Sequence, residues 1–551
     1  MKASAARKQR IALAVGALVM ACAAHAQTIP PVPAASVPGA APASGAAPAS
    51  RAAPASRAAL PALPASAPTT YAVPSVAVLA TGSSNANLGT GNPARSDAIL
   101  QVTPRLFFQS RHANWHLQGD LSLNSRYYVS GVQPNVVAPE GHATLHSQWA
   151  PNLLYLDAGF SAEQQSVSPY QGQNGSLQGS RYTSTQWRIS PYIDRRLAPG
   201  LSLLVRSDDT WTRTSNTPSQ FGVFGGRYTD QHFRLRQLPA RWGYALDARQ
   251  IYATYDGAPY AWQRDTTLRV AGSYALTQRM VFSLIAGHEK AQAYAAQQSG
   301  ALYGAQLVWR PGITSHLDAT VEHRYFGTGW NVNAAGGDSR ARLSLRWSRD
   351  ATSSLAPLGS SSTSTTNIGT LLYGMLSTQY PDPLERARMV QQLLGSAGLP
   401  AGLTTAGNFY MSSSVLQSAV VLTGLVVRAR NNFALSVYRN RTEDLYLPGQ
   451  EVLRLLQTLS SDNLQVGMAF NYGRRLSPLD NLNVTLQQER DTGFGPNQGQ
   501  SARQRALIAQ LDHRLSPRTI ALIGVRRLLL TSTRVLGGTE TAVFAGLVHR
   551  F

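Results

Sequence analysis

The feature that most restricts what this chain can fold into is an alternation of side-chain character with a period of two. In Trp115–Tyr127, the residues Trp115, Leu117, Gly119, Leu121, Leu123 and Tyr127 share one face, with Ser125 as the exception. His116, Gln118, Asp120, Ser122, Asn124 and Arg126 fall on the other. Only an extended strand sends successive side chains to opposite sides, so each such segment reads as a strand with one greasy and one polar face. The rule recurs with Leu100, Val102, Leu106 and Phe108 against Gln101, Thr103, Arg105 and Gln109. It recurs again with Leu154, Leu156, Ala158, Phe160 and Ala162 against Tyr155, Asp157, Ser161 and Glu163. Later cases are Leu343, Leu345 and Trp347, then Leu464, Val466, Met468 and Phe470, then Leu482, Val484 and Leu486. From Tyr71 to Phe551 the chain is therefore expected to be all-β.

Connections between these segments come in two kinds. Trp149-Ala-Pro-Asn152, Leu197-Ala-Pro-Gly200, Arg310-Pro-Gly-Ile313, Leu476-Ser-Pro-Leu479 and Leu515-Ser-Pro-Arg518 are short and built from turn residues. Ser130–Gly141, Ser166–Ser180 and Asp491–Gln500 are longer and rich in Gly, Asn, Gln, Ser and Pro. Short turns at one end and long loops at the other are the arrangement of outer-membrane barrels, with the short turns periplasmic. Trp149, Tyr155, Trp187, Trp211, Trp242, Trp309 and Trp347 stand near strand ends, where interfacial aromatic girdles belong. A soluble sandwich or propeller would show turns of similar length at both ends and a more charged surface.

Charge decides between these two. Charged residues make up 14% of the chain, with 43% hydrophobic, whereas ordinary soluble domains carry about 25% charged residues. A barrel wall facing lipid needs no surface charge. The expected fold is a transmembrane antiparallel β-barrel of roughly 20–22 strands. The net charge of +21 comes almost wholly from arginine, since Lys2, Lys8 and Lys290 are the only lysines. Arginine pairs bidentately with carboxylate and phosphate, which suits an anionic polymer or a lipid headgroup. Nucleic acid does not suit an exported chain.

Export is read from the first residues. Lys2, Arg7, Lys8 and Arg10 precede the apolar run Ile11–Ala21, and Ala24-His25-Ala26 offers a small-x-small cleavage site, so residues 1–26 read as a signal peptide. Cleavage there removes Cys22, the single cysteine. Residues 27–70 read as a disordered Pro/Ala/Ser tether: GAAPAS stands at Gly39–Ser44 and again at Gly45–Ser50, and RAAPAS follows at Arg51–Ser56. Residues 71–551 form the expected barrel.

The segment 351–414 interrupts the pattern. Asp382-Pro383 starts a short helix expected near 382–396, with Leu384, Ala387, Val390 and Leu394 on one stripe. Counting hairpins from either terminus gives the strand ending at Asp350 and the strand at Val415–Val426 the same direction, which antiparallel neighbours cannot have. Either residues 351–375 hide a further strand, which is the favoured reading, or the segment threads the lumen as a plug, or a strand has been misplaced.

The chain ends Thr541-Ala-Val-Phe-Ala-Gly-Leu-Val-His-Arg-Phe551. Val543, Ala545, Leu547 and the terminal Phe551 resemble the signal that barrels present to their insertion machinery, although His549 departs from the usual apolar residue. On the polar faces lie candidate lumen-lining arginines: Arg105, Arg126, Arg188, Arg206, Arg269, Arg324, Arg342 and Arg346, together with Arg310. The acids Asp120, Asp157, Glu163, Asp194, Asp208, Asp247, Asp318, Glu322, Glu489 and Asp512 lie there too. They read either as a path attracting an acidic polymer or as a mixed-sign ladder stiffening the wall. No catalytic, cofactor or metal motif is found: H-E-x-x-H, G-x-S-x-G and the P-loop do not occur, and His116, His146, His288 and His323 are tied to no nucleophile.

Several stretches taken in order resemble the outer-membrane β-barrel proteins associated with PEP-CTERM and exopolysaccharide gene clusters. They are Ser96–Pro104, Leu153–Ala158, Arg188–Ile193, Glu322–Gly327, Tyr380-Pro-Asp-Pro383 and Gln417–Arg439. The resemblance implies an outer-membrane location and a part in surface-polysaccharide export with periplasmic partners, and it supplies no catalytic residues. A plugged structural or surface-interaction barrel and a general diffusion porin are the alternative expectations.

Overall fold

The computed structural model describes residues 69–551 apart from 91, 172–180, 216–224, 257, 294–295, 354, 357–365, 368–401, 404–413, 446 and 448–460. The expected signal peptide, the tether up to residue 68 and the helix expected near 382–396 lie outside the described residues.

The period-two segments are strands throughout. In chain order they are β1 (Thr69–Ser83), β2 (Asp97–Arg111), β3 (Trp115–Tyr128), β4 (Val136–Ala150), β5 (Leu154–Ser166), β6 (Arg181–Ala198), β7 (Leu201–Ser215) and β8 (Gly226–Gln237). There follow β9 (Trp242–Tyr255), β10 (Ala258–Thr277), β11 (Met280–Ala293), β12 (Ala296–Trp309), β13 (His316–Arg324), β14 (Gly327–Gly337) and β15 (Ala341–Thr352). Two-residue β16 (Thr366–Asn367) and β17 (Gly402–Leu403) pair only with each other. The wall resumes with β18 (Val415–Val427), β19 (Asn431–Asp444), β20 (Asn463–Arg475), β21 (Asp480–Gly493), β22 (Ser501–Arg514), β23 (Thr519–Ser532) and β24 (Gly538–Arg550).

Each wall strand pairs antiparallel with its sequence neighbours, and β24 returns to β1, closing a 22-stranded sheet. Closure is what lipid demands: in hydrocarbon every unpaired backbone N–H or C=O is costly, so an open edge is not tolerated. The greasy face of every strand turns outward. Leu268, Val270, Phe282, Leu284, Val321, Leu343, Leu486 and Ile523 are exposed on the outer surface. Trp149, Trp242 and Trp309 stand outward at the short-turn end, and Trp187 stands outward toward the other. Tyr155 takes the side that its place in the polar series of β5 predicts, not the outward one that a girdle requires. It faces the lumen and stacks on Tyr192 at 5.0 Å, because its neighbours Leu154 and Leu156 hold the outward positions.

At one end every connection is short, and the proline-containing ones there behave as their residues dictate. Asn152 takes φ 57 and Gly200 φ 80, the left-handed conformation these two residue types accept most readily. In the two Ser-Pro turns, the hydroxyls of Ser477 and Ser516 accept the backbone N–H of Asp480 and Thr519, each at 3.0 Å.

The loop expected over Ser130–Gly141 is shorter, since β4 already begins at Val136. The further barrel strand expected within 351–375 is not formed. β15 pairs directly with β18 from Ala341↔Val426 to Thr352↔Val415, so β15 runs toward the long-loop end and needs no intermediary. The directional clash arose because three hairpins at the long-loop end, β9–β10, β11–β12 and β13–β14, have connections as tight as those opposite. Tyr325-Phe326, which joins β13 to β14, is marked as a turn only by Gly327, which follows it at φ 95.

Candidate functional site

The inner wall holds the charges of the strands' polar faces, and register decides which of them meet. Arg105 donates to Asp120 across β2–β3 at 2.6 Å. Arg206 bridges Asp157 at 3.0 Å and Asp208 at 2.8 Å. Arg269 reaches Glu322 at 2.9 Å, Arg310 reaches Asp318 at 2.9 Å, and Arg324 joins Glu289 at 2.9 Å to Asp350 at 2.8 Å. Five of the expected lumen arginines are therefore held by carboxylates, as a mixed-sign ladder requires. Among the acids, Asp247 accepts from His232 at 2.6 Å and Arg234 at 3.0 Å, Glu163 accepts from Gln165 at 2.6 Å, and Asp512 accepts from Gln510 at 2.6 Å.

The remaining arginines sit differently. Arg346 donates to the Asn333 amide oxygen at 3.2 Å. Arg188 and Arg342 each keep a buried guanidinium nitrogen without a hydrogen-bond partner. Arg126 sits on the inner face of β3 opposite Gln101 of β2. No carboxylate forms an ion pair with Arg126, Arg188, Arg342 or Arg346 among the described residues.

Arg188 lines a polar cleft of about 260 Å³ in the wall of β3–β6 with His116, Gln118, Thr144, His146 and Asp157. His146 and Asp157 pair at 2.7 Å, but Asp157 also holds Arg206, and Tyr192 Oη lies 3.5 Å from the His146 ring. The pair thus belongs to the charge ladder. Of the other histidines considered above, His323 stacks on Tyr303 on the outer surface at 5.0 Å.

The two sides of the lumen differ. Over β2–β5 some inward groups stay accessible, with the Arg105 side chain 57% and His146 45% exposed, whereas on β6–β7 the inward Gln186, Ser190, Thr210 and Thr212 are buried. On β18–β22 the inward residues Ser436, Asn440, Gln465, Asn471 and Asp491 are buried. Just beyond β15, Leu355 turns inward against Tyr228, Ala253 and Tyr255, and Tyr255 shares a hydrogen bond with Ser353 at 2.8 Å. Sequence reading missed Arg249–Asp230 (2.6 Å), Arg526–Glu540 (2.8 Å) and Glu289. Alternation within their own strands would have found them.

At the seam, Val543 and Leu547 face outward, 55% and 50% exposed, and Ala545 stands opposite Ala80 of β1. The Phe551 amide donates to Pro74 O at 3.0 Å, and His549 hydrogen-bonds Thr519 at 2.9 Å.

Fold and wall together define a transmembrane β-barrel. No family model and no curated protein matches the sequence. Solved structures similar to it include the siderophore receptor PirA from Acinetobacter baumannii, at 9% identity over 88% of this chain and 81% of that one, with TM-score 0.44. The outer membrane protein opdK from Pseudomonas aeruginosa is 9% identical over 87% and 99%, with TM-score 0.31. The FrpB iron transporter from Neisseria meningitidis is 9% identical over 86% and 81%, with TM-score 0.37. Likeness this distant carries nothing about cargo.

Proposed function

We propose that this barrel sits in the outer membrane, long loops outward, and gives passage to an acidic exopolysaccharide as one member of the family it resembles. The observation that supports this reading is the cleft in the inner wall of β3–β6, which Arg188 lines; neither Arg188 nor Arg126, further along the inner face of β3, forms an ion pair with a carboxylate among the described residues. Unpaired guanidinium groups attract carboxylated or phosphorylated sugars, while the surrounding amides and hydroxyls exchange hydrogen bonds with sugar hydroxyls.

Planar-bilayer conductance tests it. The expected outcome is a conducting pore blocked by an acidic polysaccharide such as alginate but not by neutral dextran, with block weakened by the double variant Arg126→Gln/Arg188→Gln. Equal block by both polymers defeats the reading. A second reading, a plugged structural barrel, is favoured by the buried inner face of β18–β22 and the inward turn at Leu355. It predicts no conductance, and no fall in secreted polymer when the protein is deleted.

A further inference from the structure

Register also places arginines on the wrong side of the wall for a lumen. On β21–β23, Arg490, Arg503, Arg505 and Arg527 occupy the same outward series as Leu486, Leu507, Val525 and Leu529, and all four are exposed. Arg490 stands directly opposite Arg503, and Arg505 and Arg527 are diagonal neighbours across β22–β23. One row further, Arg439 of β19 reaches the same level through Val466.

Like charges set directly opposite in a cross-strand pair repel, and among the described residues no carboxylate pairs with them. The outward acid Glu443 is taken by Arg441, and outward Asp480 lies at the far end of β21 with His513 at 2.6 Å. Gln488 shares the level of Arg505, and below it the outer face turns apolar with Val484, Leu486, Leu507 and Val525.

Depth comes from a separate observation. Around the barrel, other outward arginines near the long-loop ends lie over aromatic rings: Arg213 over Trp187 at 5.7 Å, Arg227 over Trp211 at 5.5 Å, Arg264 over Tyr252 at 5.2 Å and Arg349 over Trp330 at 5.6 Å. Outward aromatic girdles mark the headgroup level of a bilayer. At the long-loop end that level belongs to the outer leaflet.

We infer that the β21–β23 patch is a binding site for a phosphorylated lipid of the outer leaflet. Its phosphates lie between Arg490 and Arg503 and against Arg505 and Arg527, and its acyl chains lie down the apolar strands beneath. Guanidinium forks suit phosphate oxygens, and the phosphate removes the repulsion that the register builds in. The site is independent of what the lumen carries.

The test uses the purified full-length barrel in neutral detergent, with diphosphoryl lipid A as the probe. Lipid A is expected to raise the melting temperature of the wild type, with less effect as salt rises. Arg490→Gln/Arg503→Gln should bind it about tenfold or more weakly, whereas Arg474→Gln, outward at the opposite end of β20, should bind as the wild type does. Without lipid the double variant should melt no lower than wild type, because a repulsion has been removed; a purely structural role would lower it. If the glutamine variant fails to assemble, Arg490→Lys/Arg503→Lys keeps the charge and should retain measurable binding. Equal affinity for lipid A stripped of both phosphates overturns the proposal. So does an arginine-dependent site that takes soluble alginate in preference to lipid A.

Discussion

At the scale of single residues, the wall is held by contacts whose removal has opposite consequences on its two faces. Glu289 is 2% exposed and Arg324 12%, so their pairing at 2.9 Å is the most enclosed charge contact on the inner wall. Arg324→Gln leaves a buried carboxylate uncompensated and should cost about 3–5 kcal/mol. Replacing both partners by methionine should recover most of that. A double-variant cycle on unfolding midpoints checks it, and a wild-type midpoint for the single variant would sink the idea. Gly467 presents a different constraint: a Cβ there would meet the Tyr438 ring at 2.5 Å. Gly467→Val must displace a buried ring and should lose about 1–3 kcal/mol, read as a lower temperature of heat-modified mobility. In the β14–β15 turn, Asp338 accepts the N–H of Arg340 at 2.7 Å and of Ala341 at 2.8 Å, which holds its carboxyl below the ordinary 3.8. A lowered value means the turn gains from Asp338 above the unfolded-state pKa and loses that gain as pH falls through the folded one. A carboxyl carbon titration with its midpoint at or above 3.8 would contradict this.

At the scale of strands, alternation was the legible part and partnership was not. Each strand announces which side chains share a face, so the inward positions of Arg105, Arg206 and Arg269 could be read from their own neighbours. Which carboxylate each would meet could not, because Arg269 and Glu322 lie 53 residues apart and meet only once β10 to β13 have set their mutual register. The hairpin at Tyr325-Phe326 is signalled only by Gly327, which follows it at φ 95, a weaker mark than the Pro-containing turns at the other end. Alternation also carries a sharp expectation on β23: Ile523 is outward at 55% exposure, and Arg526, on the other parity, is inward with Glu540 at 2.8 Å. Ile523→Arg, deeper along the same outward series than Arg527, should therefore cost about 2–4 kcal/mol near mid-membrane, measured by refolding into vesicles. A neutral result would mean the strand is shifted by one residue, which exchanges its faces.

For the molecule as a whole, the closed sheet and its strand number followed from counting periodic segments and from the scarcity of charge. The division of the lumen did not, because burial of Ser436, Gln465 and Asn471 is a property of what surrounds β18–β22 rather than of those strands. Nor did the outward arginines stand out, since a sequence rich in arginine gives no hint of which ones register will gather. The seam sets one last condition on how such a chain reaches its final state. The strand that completes the ring follows all the others along the chain and its partner precedes them, so β1 waits with one edge bare until β24 has been made. No part of the circle can finish early, and a chain cut short anywhere ends as a ribbon with two sticky margins.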